Sequence, residues 1–261
     1  MAYETVLFER SDGVVTITLN RPETLNAFND TMIRETTDAF KQCGKDPSVR
    51  CVVLTGAGRG FSSGQDLADV QKRGDDFSIA EHLRQGYHRL ILEMVRLEKP
   101  IIAAINGVAA GAGFGIALAT DIRIASDKAS FILAFSRVGL IPDSGTNWFL
   151  PRIIGQARAY ELAITADRLP ADQALAWGVV NRVVPHDELM PTVQEFAARL
   201  AQGASLAYGL TKRTMYRAWE QSLEEALGYE AYLQETAARS HDYREGVQAF
   251  LEKRAPRFQG R

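Results

Sequence analysis

Three segments of this 261-residue sequence carry residue types that could do chemistry. The first is GLIPDSGTNW, Gly139 to Trp148, where a single carboxylate, Asp143, stands between the apolar stretches LAFSRV and FLPRII. Apolar flanks that bury a carboxylate push its pKa toward neutrality, which suits a group that must take a proton and give it back. The same residues also spell a turn, Pro142-Asp143-Ser144-Gly145, with Asp143 or Ser144 able to cap a helix running through Trp148 and Leu150.

The other two segments are rich in glycine, and each follows an apolar, strand-like run. GAGRGFSSGQDL (Gly56 to Leu67) and GVAAGAGFG (Gly107 to Gly115) can present backbone N–H groups to an anion or an oxyanion. A phosphate loop would need a GK[ST] ending, which is missing, and GAGRGF lacks the third glycine of a dinucleotide fingerprint. GAGFG half-matches that fingerprint, but the following strand, DIRIAS, has no acid at its end. Taken singly, the first segment also reads as a tight surface turn and the second as close helix–strand packing. Taken together they could hold one carbonyl oxygen between two N–H donors. Removing a proton from the adjacent carbon then gives an enolate whose charge sits on that oxygen, and one such donor is worth about 3–4 kcal/mol in the transition state. Asp143 is the candidate base. The histidines, His82, His88, His186 and His241, lie outside the glycine motifs, and His82 and His88 fall on a helix that reads as mostly solvated. No Ser–His–Asp arrangement and no metal-ligand spacing appears.

Alternating strand and helix signals place these segments. Val15, Ile17 and Leu19 alternate with threonines in a period-two strand. NRPETLNAFN connects it to a helix starting near Asn29 or Asp30, with Ile33, Thr36, Phe40 and Cys43 on one face. RCVVLTG and IIAAING read as buried strands and DIRIAS as another. Leu83, Tyr87, Leu90, Ile91 and Met94 predict one amphipathic helix, stopped by Pro100. The unit of strand, glycine-rich turn and helix recurs, which argues an α/β architecture with mostly parallel pairing. Beyond about residue 185 strand signals cease, and 186–202, 204–218, 220–239 and 241–254 read as helices. Residues 1–185 are therefore expected to form the core and 186–261 a helical C-terminal region, whose apolar stripe favours oligomerisation over a lid.

Composition narrows the class. An apolar fraction of 46% and a charged fraction of 24% are ordinary for a globular protein. The net charge of -2 gives no global attraction to nucleic acid or membrane, though a local basic patch for an anionic ligand is compatible with it. Cys43 and Cys51 read as buried free thiols of a reducing compartment. The longest apolar run, around residues 100–120, is too broken by Asn106 and glycines to span a bilayer. No basic-then-apolar leader opens the chain, so a cytoplasmic location is the expectation.

The phrases VTITLNRPETLNAF, VVLTGAGRGFSSGQDL, KPIIAAINGVAAGAGFGIALATDIRIAS, GLIPDSGTNWFLPRIIG and YREGVQAFLEKRAPRF together resemble the crotonase (enoyl-CoA hydratase/isomerase) superfamily over essentially the full length. The resemblance implies a superhelix of repeated ββα units with a C-terminal helical region. It also implies trimers, commonly paired as hexamers, that bind an acyl-coenzyme A thioester, with coenzyme A entering as part of the substrate and no prosthetic group or metal. Carried over, the two oxyanion donors are the backbone N–H groups of Gln65 and Ala112. Leu25 and Ala27, together with Ser63, Gly64, Gln65, Asp66 and Leu67, would line the coenzyme A, and Phe250 and Lys253 would reach it across a subunit boundary.

Hydratases of this superfamily use two glutamates, and those positions here hold Gly115 and Phe135. What remains is Asp143, and one carboxylate that moves a proton between two carbons is an isomerase. The phrases GAGRGF, GQDL, NGVAAGAG, GLIPD and DYREGV resemble the branch of ring 1,2-epoxyphenylacetyl-CoA isomerases of phenylacetate breakdown, which also shift a 3-ene to position 2. Phe114, Phe135 and Trp148 are candidates to shape an aromatic acyl pocket. A hydratase working through another acid and a non-catalytic acyl-CoA-binding subunit stay open as alternatives.

Overall fold

Val15, Ile17 and Leu19 line the buried face of a strand whose threonines are only part-buried, whereas the runs after Arg50 and Pro100 are buried on both faces. Such strands read as unbroken apolar runs because each face must meet another layer. In a computed structural model that describes residues 3–71 and 77–261, the strands are β1 (Val6–Ser11), β2 (Val14–Leu19), β3 (Cys51–Gly56), β4 (Gly60–Ser62), β5 (Ile101–Ile105), β6 (Val108–Ala110), β7 (Ile122–Ser126), β8 (Ser130–Ile132), β9 (Leu169–Pro170) and β10 (Arg182–Val184). The helices are α1 (Asp30–Lys45), α2 (Leu67–Gln71), α3 (Ile79–Gln85), α4 (Tyr87–Arg96), α5 (Ala112–Leu118), α6 (Thr146–Ile154), α7 (Gln156–Thr165), α8 (Ala171–Ala176), α9 (Leu189–Ala201), α10 (Ser205–Ala218), α11 (Leu223–Ala238) and α12 (His241–Leu251).

Six strands form one sheet in the order β1-β2-β3-β5-β7-β10, and β4-β6-β8-β9 form a second. The β1–β2 and β8–β9 pairs are antiparallel; every other pair is parallel. β3, β5 and β7 are each followed by a short strand in the second sheet and then by helix, a repeated ββα unit. One face of the large sheet, with Val52, Leu54, Ala103 and Ile105, packs toward α1, α4 and α5. The other, with Cys51, Val53, Ile102 and Ile124, is covered by Leu189, Val193, Ala197 and Ala201 of α9. The free thiols of Cys43 and Cys51 lie inside, and burial pushes both pKa values up to about 12. No helix among the described residues is long and apolar enough to cross a membrane.

Two expected elements differ. The single helix through Leu83 and Met94 is broken at Gly86 into α3 and α4, with Gly86 at φ -103° and ψ -95°. A Cβ there would lie 2.9 Å from the His82 carbonyl oxygen and 3.3 Å from the Ile33 Cγ2, so the chain needs glycine to turn against α1. Beyond the sequence expectation, β1 extends the large sheet in front of β2.

The loops at the carboxyl ends of β2, β3 and β5 are cross-braced by buried amides. Asn26, fully buried, accepts from the Arg21 N–H at 2.9 Å and donates to the carbonyls of Ala57 at 2.9 Å and Gly60 at 2.8 Å. Asn106 Nδ2 donates to the carbonyls of Gly56 and Gly58, each at 2.9 Å. Replacing Asn26 by leucine removes the side-chain partner of three backbone groups at once, of which the Gly60 carbonyl keeps a longer bond from Asn106 at 3.2 Å. Asn26→Leu is expected to cost about 2–4 kcal/mol, read as a lowered urea midpoint at fixed protein concentration.

Candidate active site

The first wall of the site is the loop after β4. Phe28 and Gln65 form an isolated parallel bridge, in which the Phe28 N–H donates to the Gly64 carbonyl at 2.7 Å and the Asp66 N–H to the Phe28 carbonyl at 2.9 Å. The Gly64 carbonyl and the Gln65 N–H belong to one trans peptide, so fixing the carbonyl toward Phe28 aims the N–H away from it. The second wall is the start of α5, where the Ala112 N–H is an orphan of the first turn. Among the described residues, neither the Gln65 nor the Ala112 N–H donates to a protein acceptor.

Gly64 joins the walls. It adopts φ +93°, and a Cβ on it would lie 2.8 Å from the Ala110 oxygen and 3.2 Å from the Ala112 nitrogen. Only glycine supplies both the left-handed backbone and the close approach. Two unpaired N–H groups on neighbouring loops can hold one oxygen between them.

The third wall is the segment from Leu133 to Gly145. The Phe135 ring reaches the start of α5, its Cζ being 3.8 Å from a Cβ built on Gly111. Ser144 is 1% exposed and sits at φ +50°, a left-handed conformation that costs a non-glycine residue of order 1 kcal/mol. It fits because Gly115 has no side chain: a Cβ there would fall 2.6 Å from the Ser144 oxygen and 2.9 Å from its Cβ. The glycine at 115 therefore admits the segment that carries Asp143.

Asp143 is half-buried and does not cap α6. The cap is Gly145, which has no side-chain bond, and the Asp143 carboxylate instead accepts from Ser144 Oγ at 2.8 Å. Burial pushes its carboxyl above the usual carboxylate range, while the Ser144 hydroxyl and the nearby His88 pull it part of the way back. Among the described residues it has no ion-pair partner, in contrast to Asp66, 2.9 Å from Arg21, and Asp121, 3.0 Å from Lys212.

The expected lining residues gather in part. The Ser63 N–H donates to the Leu25 carbonyl at 2.9 Å and Ser63 Oγ to that of Thr24 at 3.0 Å. Arg21 ties the group together, donating to the Ala27 carbonyl at 2.6 Å and to Asp66. Leu67 is exposed beside them. Phe250 and Lys253 are not gathered within this chain; both are exposed at the end of α12, which packs on α11. The three aromatics also separate. Phe135 touches the site, Phe114 packs on Phe131 in the core at 5.0 Å, and Trp148 joins Tyr216, Trp219 and Arg152 on the far side of α6.

The histidine expectation is corrected. His82 has a side chain only 9% exposed, and its Nε2 lies 2.9 Å from Gln65 Oε1, directly at the first glycine motif. His88 is exposed, as expected, but acts electrostatically on Asp143. The break at Gly86 turns α3 inward, and no helical periodicity could have signalled it.

The family model described as Enoyl-CoA hydratase/isomerase matches residues 9–261. The chain is 45% identical over 260 residues to the 1,2-epoxyphenylacetyl-CoA isomerase of Escherichia coli (strain K12), covering 99% of each chain. It is 42% identical over 261 residues to a protein of Rhodobacter capsulatus named "Probable enoyl-CoA hydratase", covering 100% of each. Its fold superposes on the crystal structure of an enoyl-CoA hydratase from Bacillus anthracis with a TM-score of 0.91 at 33% identity, covering 99% of this chain and 100% of that one.

The raised pKa of Asp143 has a consequence for stability. The folded protein binds this proton more tightly than the unfolded chain, so the group's contribution is full at low pH and is lost as pH rises through its folded pKa. Asp143→Asn is expected to be more stable than the parent near neutral pH, with the gap closing as pH falls to about 4, the unfolded carboxylate range. Urea midpoints of both proteins across that range measure it.

Proposed function

Since the chain belongs to the enoyl-CoA hydratase/isomerase family, the crotonases, we propose that it is an acyl-coenzyme A isomerase in which Asp143 carries the proton. The thioester oxygen sits between the N–H groups of Gln65 and Ala112. Asp143 removes a proton from the carbon beside the thioester, and the resulting charge spreads onto that oxygen. For a 3-enoyl thioester the proton returns at the fourth carbon and the double bond moves to position 2. The same deprotonation serves the conversion of ring 1,2-epoxyphenylacetyl-CoA to an oxepin thioester, and the Escherichia coli relative is named a 1,2-epoxyphenylacetyl-CoA isomerase.

The observation that carries this reading is Asp143, without an ion-pair partner among the described residues, on a segment packed against Gly115. Gly115 and Phe135 cannot move protons, and a carboxyl raised by burial is closer to the pKa a proton shuttle needs. The Leu25, Ala27 and Ser63–Leu67 loops would line the coenzyme A, which is substrate rather than resident cofactor. Phe250, 82% exposed, and Lys253 would reach it from a second copy, and exposed Leu223, Leu227 and Leu251 give an apolar surface for a homo-oligomer of the trimer or hexamer kind.

The similarity to a protein named as a hydratase supports a second reading, in which water adds to a 2-enoyl thioester. The assay separates the two. Asp143→Asn in the intact assembly is expected to lose about 100–10,000-fold in kcat for 3-enoyl-CoA or ring 1,2-epoxyphenylacetyl-CoA. Near-parental turnover would remove Asp143 from the mechanism, and a 3-hydroxyacyl product from crotonyl-CoA would favour hydration.

A further inference from the structure

Resting on the reading of the Gln65 N–H as an oxyanion donor, we infer that Tyr87 and His82 are positioning residues that fix this donor through the Gln65 side chain. The Phe28 N–H holds the Gly64–Gln65 peptide by its carbonyl at 2.7 Å, and because Gly64, at φ +93°, is a permissive hinge, a second anchor beyond the peptide is needed to set the tilt of its N–H. The side chain provides it through both ends of its amide, with a longer bond from Nε2 to the Asp66 carbonyl at 3.4 Å beside the shorter ones. Gln65 Nε2 donates to the Phe28 carbonyl at 3.1 Å, and Oε1 receives Tyr87 Oη at 2.8 Å and His82 Nε2 at 2.9 Å.

The direction of these bonds follows from chemistry. The Phe28 carbonyl only accepts, so it must face the amide nitrogen of Gln65. That leaves Oε1, also only an acceptor, toward Tyr87 and His82, and both must donate. His82 therefore carries a hydrogen on Nε2, while its Nδ1 lies 3.4 Å from Asp30 Oδ1 at the start of α1. Tyr87 is 1% exposed, edge-on to Phe28 at 6.0 Å and to His82 at 5.7 Å.

The break at Gly86 is what permits this. In a continuous helix residues 82 and 87 would point about 140° apart and could not share one acceptor. Ending α3 at Gln85 and restarting at Tyr87 turns both donors onto Gln65. An error of about 1 Å in a group that must meet a developing charge costs on the order of 100-fold in rate, so anchoring the donor bears on kcat more than on binding.

The test uses the full-length protein with cinnamoyl-CoA, a conjugated thioester whose absorbance moves to the red when its carbonyl is polarised. The parent is expected to red-shift the bound probe. Tyr87→Phe and His82→Leu are expected to bind it with a smaller shift and to lose about 10–100-fold in kcat with KM little changed. His82→Gln, which keeps a donor, restores the shift. Tyr87→Phe combined with Gln65→Met loses no more than the worse single variant, because both act through one side chain. Lowered melting temperatures with an unchanged shift and kcat would overturn the inference and leave a structural role only; so would additive losses. A parent that binds cinnamoyl-CoA without a red shift would overturn the oxyanion reading and this inference with it, whereas failure of the Asp143 reading would leave the shift intact.

Discussion

The contact on which the site depends is that between Gly64 and the turn before α5. It places two backbone N–H groups, those of Gln65 and Ala112, on facing loops with no protein acceptor for either among the described residues. A fold normally satisfies its buried N–H groups, and leaving two unsatisfied side by side costs stability unless a ligand oxygen accepts from them. The rest of the architecture serves to hold that arrangement. The parallel strands β3 and β5 end side by side, Asn26 and Asn106 lace the loops that follow them, and the Phe28–Gln65 bridge aims one peptide. A backbone donor moves only with its whole loop, so these braces act on the chemistry directly.

The second constraint is electrostatic. Other carboxylates near the sheet ends are neutralised: Asp66 by Arg21, Asp121 by Lys212. Asp143 is half-buried and, among the described residues, held by the neighbouring Ser144 hydroxyl with no ion-pair partner. The left-handed Ser144 and Gly145, at φ +50° and +79°, turn the chain into α6 without using the carboxylate as a cap. Strained backbone thus sits beside a carboxylate that has no ion-pair partner among the described residues, the combination on which the proposed proton carrier rests.

Much of this was legible in the sequence where one element reports on itself. The threonine alternation gave β2, the apolar runs gave β3 and β5, and Asn29 caps α1 with its side chain on the Met32 N–H at 2.9 Å. The helices after residue 185 fall close to the expected spans. Strands of three residues such as β4, β6 and β8 are too short to show a period and exist because their neighbours pair with them. The spacing of Leu83, Tyr87 and Leu90 reads as one helix, since periodicity is blind to a glycine whose need is set by α1 across the gap. The burial of His82 against Gln65 was hidden for the same reason. In Asp143 the sequence held both a cap and a free acid, and the choice was made by Gly115, twenty-eight positions away in the chain, about which local pattern says nothing.

The account stands on a proton carried between two carbons with no water added. The most direct measurement is product analysis with 3-hexenoyl-CoA deuterated at its second carbon, run in water enriched in oxygen-18. The account predicts a 2-enoyl product with deuterium appearing at the fourth carbon and no heavy oxygen in the acyl chain. A 3-hydroxyacyl product carrying oxygen-18 would contradict it.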